Sequence, residues 1–439
     1  RPGDPMSFRK SVFQVGSGCH YRPPPLRHHT VGNVLPMVSD VTETSHAVSS
    51  SWLTVGLPDI SVLLHSRSLP IRLLFIEADA TAVARTAVVV ELLKDKAASL
   101  QSAAQVWFSS VWSEQTVTEF ESAATVVLQT TVDVEVQRCI KCWLSRTRTI
   151  SARVAKLLWL RTHPMRNFWP LKRQHDRLAV ADYLLTGEIR EDAEASPWGN
   201  VTWYSSALPH NNETILDTFP LSMLSQRCTE SASIMDVASS YLMEQLEKLA
   251  NKLRSGSLKV SLACGTLSLS AETLLASIRQ FSPTHAFWTN LHDYFHPDEF
   301  WNIVAEMQPR SPRYRLTHVI HSCNWFRETW GCDLFDYAPS QVAQLQIDAT
   351  KACAIDTPVL RHGCETEWVV FYYLCRKYAP CWVRSVFATE MSQNEQLRRY
   401  FDTEADVQLR HWMHPYNPLN TTPTALLIAF TLTSRPFAK

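Results

Sequence analysis

Glycine is scarce in this chain: 11 of 439 residues, about a third of the usual share. The eleven are placed so that G-x-G-x-x-G, G-x-x-x-x-G-K-[ST] and G-x-S-x-G are all absent, which excludes the standard dinucleotide, P-loop and α/β-hydrolase turns. A charge imbalance is also lacking. Lys plus Arg and Asp plus Glu are 42 each, so no global field draws in nucleic acid or an anionic membrane. The strongest apolar runs, Val88–Leu93 and Leu426–Leu432, fall short of the roughly 18 to 20 residues of a membrane span. The cysteines number 11 and are scattered, unlike the dense, even pattern of a secreted disulfide scaffold; they read as reduced thiols of a cytoplasmic protein. Three glycosylation tripeptides, at Asn200, Asn212 and Asn420, are set aside for want of a secretory signal. The chain starts at Arg1 with its first methionine at Met6, which reads as a true start that is missing or has been processed.

What is present is a soluble globular composition, 45% hydrophobic in 439 residues, enough for two or three domains. Residues 1–50, with Arg22-Pro-Pro-Pro25 and a Ser/Thr-rich run, read as a flexible leader. From Trp52 onward, short apolar runs at Leu53–Leu57, Ser61–Leu64 and Ile71–Ile76 fit strands buried on both faces of a parallel sheet. Asp79 or Thr81 would cap a helix through Ala82–Lys96. Helical texture from Ala103 to Trp159, interrupted by the β-branched run Ala124–Val134, leads into an irregular stretch at 161–235. A second block of alternation follows: helix Met235–Arg254 stopped by Gly256, strand Leu258–Cys264, helix Ala271–Phe281, strand His285–Asn290, helix Pro297–Met307 with proline in its first turn, and strand Arg315–His321. From Gln341 the texture is mainly helical. The expected organisation is a leader at 1–50, an α/β Rossmann-like domain at 51–335 with an insertion at about 100–235, and a mainly helical region at 336–439.

Chemistry is suggested first by Thr54-Val-Gly-Leu-Pro-Asp59 and by Arg72-Leu-Leu-Phe-Ile-Glu-Ala-Asp79. In a nucleotide-binding α/β fold the turn after the first strand lets backbone approach the ligand, and a carboxylate ending the second strand takes the ribose hydroxyls. Glu77 or Asp79 suits the second role. The first is poorly served, because Leu57-Pro58 follows Gly56 and proline has no N–H to donate. The alternative is that Asp59 and Asp79 are helix caps.

Val55-Gly-Leu-Pro-Asp59, Phe75-Ile-Glu-Ala-Asp79, Ala82-Val-Ala-Arg85, Trp107-Phe-Ser-Ser-Val and the segment Ser282–Asp293 together resemble an uncharacterised domain family. That family is found beside MYND zinc fingers and is similar to the N-terminal region of dynein axonemal assembly factor three. Its strands end in Gly-Cys-Gly-Asp and Asn-Asp, and its helix begins Ala-Arg-Asn. The resemblance spans about 52–330 and implies a Rossmann-like sheet of the methyltransferase type. Leu57-Pro58 replaces Cys-Gly, and Glu77-Ala78 occupies the Asn position and its surroundings; both departures weaken S-adenosylmethionine binding. The MYND ligands are missing. If a cofactor binds, the resemblance assigns Gly56, Asp59, Glu77, Asp79 and Asn290 to it, with Asn290 or Asp293 near a substrate.

Other constellations read as structural. Cys139-Ile-Lys-Cys142 has no second pair to complete a zinc site, and on a helix its thiols share a face suited to packing. His292 and His296 sit four apart beside Asp298 and Glu299, but Pro297 starts the helix after them, so the imidazoles need not converge on a metal. Trp169-Pro-Leu-Lys-Arg-Gln-His-Asp176-Arg177 is one basic patch, too little for nucleic acid. The expectation is a protein that engages protein partners in the cytoplasm, with no cofactor, metal, nucleic acid or membrane; the alternative is an S-adenosylmethionine-dependent methyltransferase.

Overall fold

The computed structural model describes residues 51–56, 71–162, 171, 173–189, 198–203, 215, 224, 227–307, 315–332, 334–356, 366–402, 409–413 and 426–434. Its centre is a sheet of mostly parallel strands. Two of the three runs read as buried strands form part of it: β1 Ser51–Val55 and β2 Ile71–Glu77. Gly56 is already a bend, and Leu57 and the run Ser61–Leu64 lie outside the described residues. Side chains alternate between two apolar layers. Ile71, Leu73 and Phe75 enter one, whereas Leu74 and Ile76 enter the other with Leu53 and Val55. A sheet covered on both faces needs such unbroken apolar strands.

On one face lies α1, Ala80–Lys94, whose run of Val88, Val89, Val90, Leu92 and Leu93 is buried. It is apolar around most of its circumference because it is sandwiched. Beyond it pack α2 Leu100–Phe108, α3 Glu114–Thr130 and α4 Val134–Leu144. α3 starts at Ser113, whose Oγ accepts from Thr116 N at 3.1 Å, and runs through most of the β-branched stretch that had read as a break. A two-strand ribbon pairs β3 Val111–Trp112 with β4 Trp198–Gly199. Between these strands come α5 Ala152–Thr162 and α6 Gln174–Thr186, so the stretch expected to be irregular contains a three-turn helix. The layer is completed by α7, Ile234–Arg254, with a capping box at Ser233 and Asp236. The insertion shares one continuous apolar cluster with the sheet.

After α7 come β5 Leu258–Cys264, α8 Glu272–Phe281, β6 His285–Trp288, α9 Pro297–Met307 and β7 Arg315–Ser322. The C-terminal region holds α10 Pro339–Asp356, α11 Thr366–Trp382, a π-helical turn Val383–Phe387, α12 Ala388–Gln393 and α13 Glu395–Tyr400. Pro380, with no N–H to give, sits just before the π turn, the kind of defect that admits such a bulge.

This region is not only helical. β8 Phe401–Asp402, β9 Arg410–Met413 and β10 Leu426–Ser434 join the main sheet. β10 lies antiparallel to β7 in register from Leu426 opposite Ser322 to Thr433 opposite Arg315. The order is β5-β2-β1-β6-β7-β10-β8, with β9 also on β10. β1 is flanked by β2 and β6, both parallel. The chain winds outward from β1 in both directions, which makes the carboxyl ends of β1 and β6 a topological switch point.

Candidate functional site

Ligands of open α/β sheets gather at the carboxyl ends of the strands beside the switch point, and Gly56, Glu77, Asp79 and Asn290 all lie there. Asp59 lies outside the described residues. Gly56 follows β1 at φ +111° and donates its N–H to Ile76 O at 2.9 Å. Thr289, one residue past β6, closes over it. Thr289 N and Oγ1 both donate to Val55 O, at 3.2 and 3.1 Å. A Cβ on residue 56 would stand 2.7 Å from Thr289 Cγ2 and 2.9 Å from its Cβ. Both the backbone angle and the neighbouring side chain therefore require glycine here.

At the end of β2, Glu77 is buried and its Oε1 accepts from Asp79 N at 2.9 Å. Asp79 Oδ1 accepts from Thr81 N at 2.8 Å, capping α1. This is the capping alternative read from the sequence, and it uses one carboxylate oxygen of each residue locally. Beside them, Cys264 Sγ lies 3.9 Å from Ala78 O, and Cys139 Sγ lies 3.8 Å from Thr81 Oγ1. Burial, then the carboxylates of Asp133, Glu77 and Asp79, push the Cys264 thiol up to about 11. Burial likewise raises that of Cys139. Thiols held protonated are poor nucleophiles and poor metal ligands, and among the described residues no group of three or more His, Cys, Asp or Glu is arranged to hold a metal.

At the end of β6, Asn290 is buried and its Nδ2 donates to Tyr294 OH at 3.4 Å. Asp293 accepts from Ser322 Oγ at 2.5 Å, from Cys323 N at 2.7 Å and from Asn324 N at 3.1 Å, tying this turn to the end of β7. Burial outweighs these three donors and lifts its carboxyl to about 6. His292 and His296 are separated in environment. His292 is enclosed by Phe300, Trp301, Trp382 and Phe387 with Glu390 Oε2 at 3.9 Å, whereas His296 is 74% exposed.

A pairing that sequence reasoning missed lies next to Asp293. Cys323 Sγ is 3.5 Å from His321 Nε2, and together the three residues have the composition of a nucleophilic triad. Their electrostatics run against nucleophilic use. Asp293 accepts from the backbone N–H of Cys323, and burial followed by Asp293 raises the Cys323 thiol well above its usual range. The i, i+2 spacing across the end of a strand was the available signal.

The remaining motifs resolve structurally. Arg173 forks onto Asp176, with Nε–Oδ2 at 2.6 Å and Nη2–Oδ1 at 2.8 Å, and Asp176 accepts from Ile234 N at 2.8 Å. This part of the basic patch therefore joins α6 to the start of α7. Asn200 is fully buried and its Nδ2 donates to Ser109 O at 2.8 Å, a position no glycosyl group reaches.

Large apolar side chains are exposed in the segments that leave this same edge: Tyr294 after β6, then Trp330 at 80% and, in a short 3-10 helix, Phe335 at 96% after β7. Among the described residues no helix is long and apolar enough to cross a membrane. Neither the models of known protein families nor the curated proteins compared with this chain give a match.

Proposed function

We propose that this protein is a non-enzymatic cytoplasmic interaction or assembly factor built on a degenerate methyltransferase-like fold, with protein partners. Dynein arm assembly is the process its sequence resemblance points to. The strand order supports the fold assignment. Five parallel strands run 3-2-1-4-5 from the switch point outward, and the last strand, β10, is inserted antiparallel beside the fifth, an arrangement that departs from the all-parallel dinucleotide order.

The observation that carries the functional reading is Thr289 over Gly56. The backbone that a cofactor would have to approach is covered by a side chain bonded to Val55 O. Asp79, the second carboxylate position, is engaged as a helix cap. Exposed Trp330 and Phe335 on the same edge supply what a partner surface needs, since aromatic side chains are enriched where proteins meet.

The alternative, an S-adenosylmethionine-dependent methyltransferase, is favoured by one observation: Gly56, Glu77, Asp79 and Asn290 stand on adjacent strand ends around the switch point. Calorimetric titration separates the two. S-adenosylmethionine added to the full chain is expected to give no heat of binding. Low-micromolar affinity that Asp79→Ser abolishes, in a variant that keeps a capping hydroxyl, would overturn the proposal.

A further inference from the structure

Cys332 and Cys375 are both free, both fully buried, and members of one apolar cluster, and their thiols are within hydrogen-bonding reach of each other. One thiol lies in the loop after β7 and the other on α11. The residue before Cys332 is anchored to the same helix. Gly331, at φ +90°, lies so close to Tyr378 that a Cβ there would be 2.8 Å from the ring Cζ. Tyr337 OH donates to Gly331 O at 2.8 Å and lies 3.1 Å from Tyr378 OH. Gly331 N donates to Asp336 Oδ2 at 2.7 Å. Cys375 and Tyr378 are i and i+3 on α11, hence on one face. Cys332 thus follows a residue held against Tyr378, one turn along the same helix face from Cys375, and the two thiols share a hydrogen bond.

We propose that Cys332 and Cys375 are the site of a disulfide that forms under oxidation and fastens the chain at Gly331-Cys332 to α11. With a peroxide as oxidant, one thiol loses its proton and its sulfur attacks a peroxide oxygen. The O–O bond breaks, giving a sulfenic acid and one water. The second sulfur then attacks the sulfenic sulfur, the S–S bond forms, the S–O bond breaks, and the second water leaves. Two thiols are oxidised and one peroxide is reduced. Burial slows the first step, because only a thiolate is nucleophilic, so the reaction follows transient separation of Cys332 from α11 and lags behind oxidation of exposed Cys381. This proposal stands independently of the functional reading above.

The full wild-type chain, incubated with hydrogen peroxide, alkylated and digested without reduction, is expected to yield a Cys332–Cys375 cross-linked peptide lost on adding dithiothreitol. Its melting temperature should rise by a few degrees over the reduced chain, as expected for closing a long loop. In Cys332→Ala and in Cys375→Val the rise disappears. Recovery of Cys332 and Cys375 as separately alkylated or separately over-oxidised residues after Cys381 has fully reacted would overturn the proposal, as would a cross-link from either to another cysteine. The wild-type mapping decides the question even if a variant fails to fold.

Discussion

Thr289 stands over the α-carbon of Gly56, with its hydroxyl given to Val55 O at 3.1 Å and its methyl 2.7 Å from where a side chain on residue 56 would begin. Two strands that are neighbours in the sheet but 234 residues apart in the chain are locked by this contact. It occurs at the switch point, where the backbone of a ligand-binding open α/β sheet would lie open.

Gly56→Ala is therefore expected to destabilise the protein by roughly 2 to 5 kcal/mol, from a non-glycine residue at positive φ together with overpacking. Thr289→Ala removes the two atoms in sharpest conflict and should recover part of that loss in the double variant. Denaturant unfolding of the four proteins of the cycle measures the coupling. Additive effects would mean that Thr289 does not occupy this space.

The pH dependence of stability follows from buried histidines. Trp288 Nε1 donates to His318 Nδ1 at 3.0 Å, and burial lowers the His318 pKa to about 3. His285 is lowered to about 4, also by burial. The unfolded chain takes up these protons near pH 6.5, so stability falls as pH drops from 6.5 toward 3; for His318 alone the loss by pH 4 is about 3 kcal/mol. Asp293 acts in the opposite sense. Its carboxyl is raised to about 6, so its contribution is fully present below the unfolded value near 4 and is lost as pH rises through 6. His318→Gln, which retains an acceptor for Trp288, should flatten the acid limb measured by denaturant unfolding from pH 4 to 7. Asp293→Asn should steepen it. An unchanged slope in His318→Gln would contradict the assignment.

Much of the sheet was legible because central strands such as β2 are buried on both faces and the edge strand β5 alternates apolar with polar positions. Ile71–Ile76 and Leu258–Cys264 read as strands, and Met235–Arg254 and Pro297–Met307 as helices, since apolar spacing and end residues agreed. Leu426–Leu432 was weighed only against a membrane span. It is the core of β10, and a short apolar run carries no period that distinguishes strand from helix. In α3, the β-branched residues Thr125, Val126 and Val127 read as a break, but Ser113 capping and packing of Phe120 and Ala124 decide the outcome.

At the site, Asp79 was legible as a cap because the signal is local. Thr289, Cys323 with His321, and Cys332 with Cys375 were not singled out. Three of these five residues act through partners that only the sheet order or a helix docking brings near, and no local spacing encodes that proximity.

At the end of β1 the Thr289 side chain occupies the space over Gly56. Methyl NMR on the full chain with labelled threonine tests it most directly, through the nuclear Overhauser cross-peak between the Thr289 methyl and the Gly56 α-protons. A strong cross-peak is expected, with position and intensity unchanged on adding S-adenosylmethionine to millimolar concentration. A weak or absent cross-peak, or a Thr289 methyl that shifts saturably with the cofactor, would contradict it.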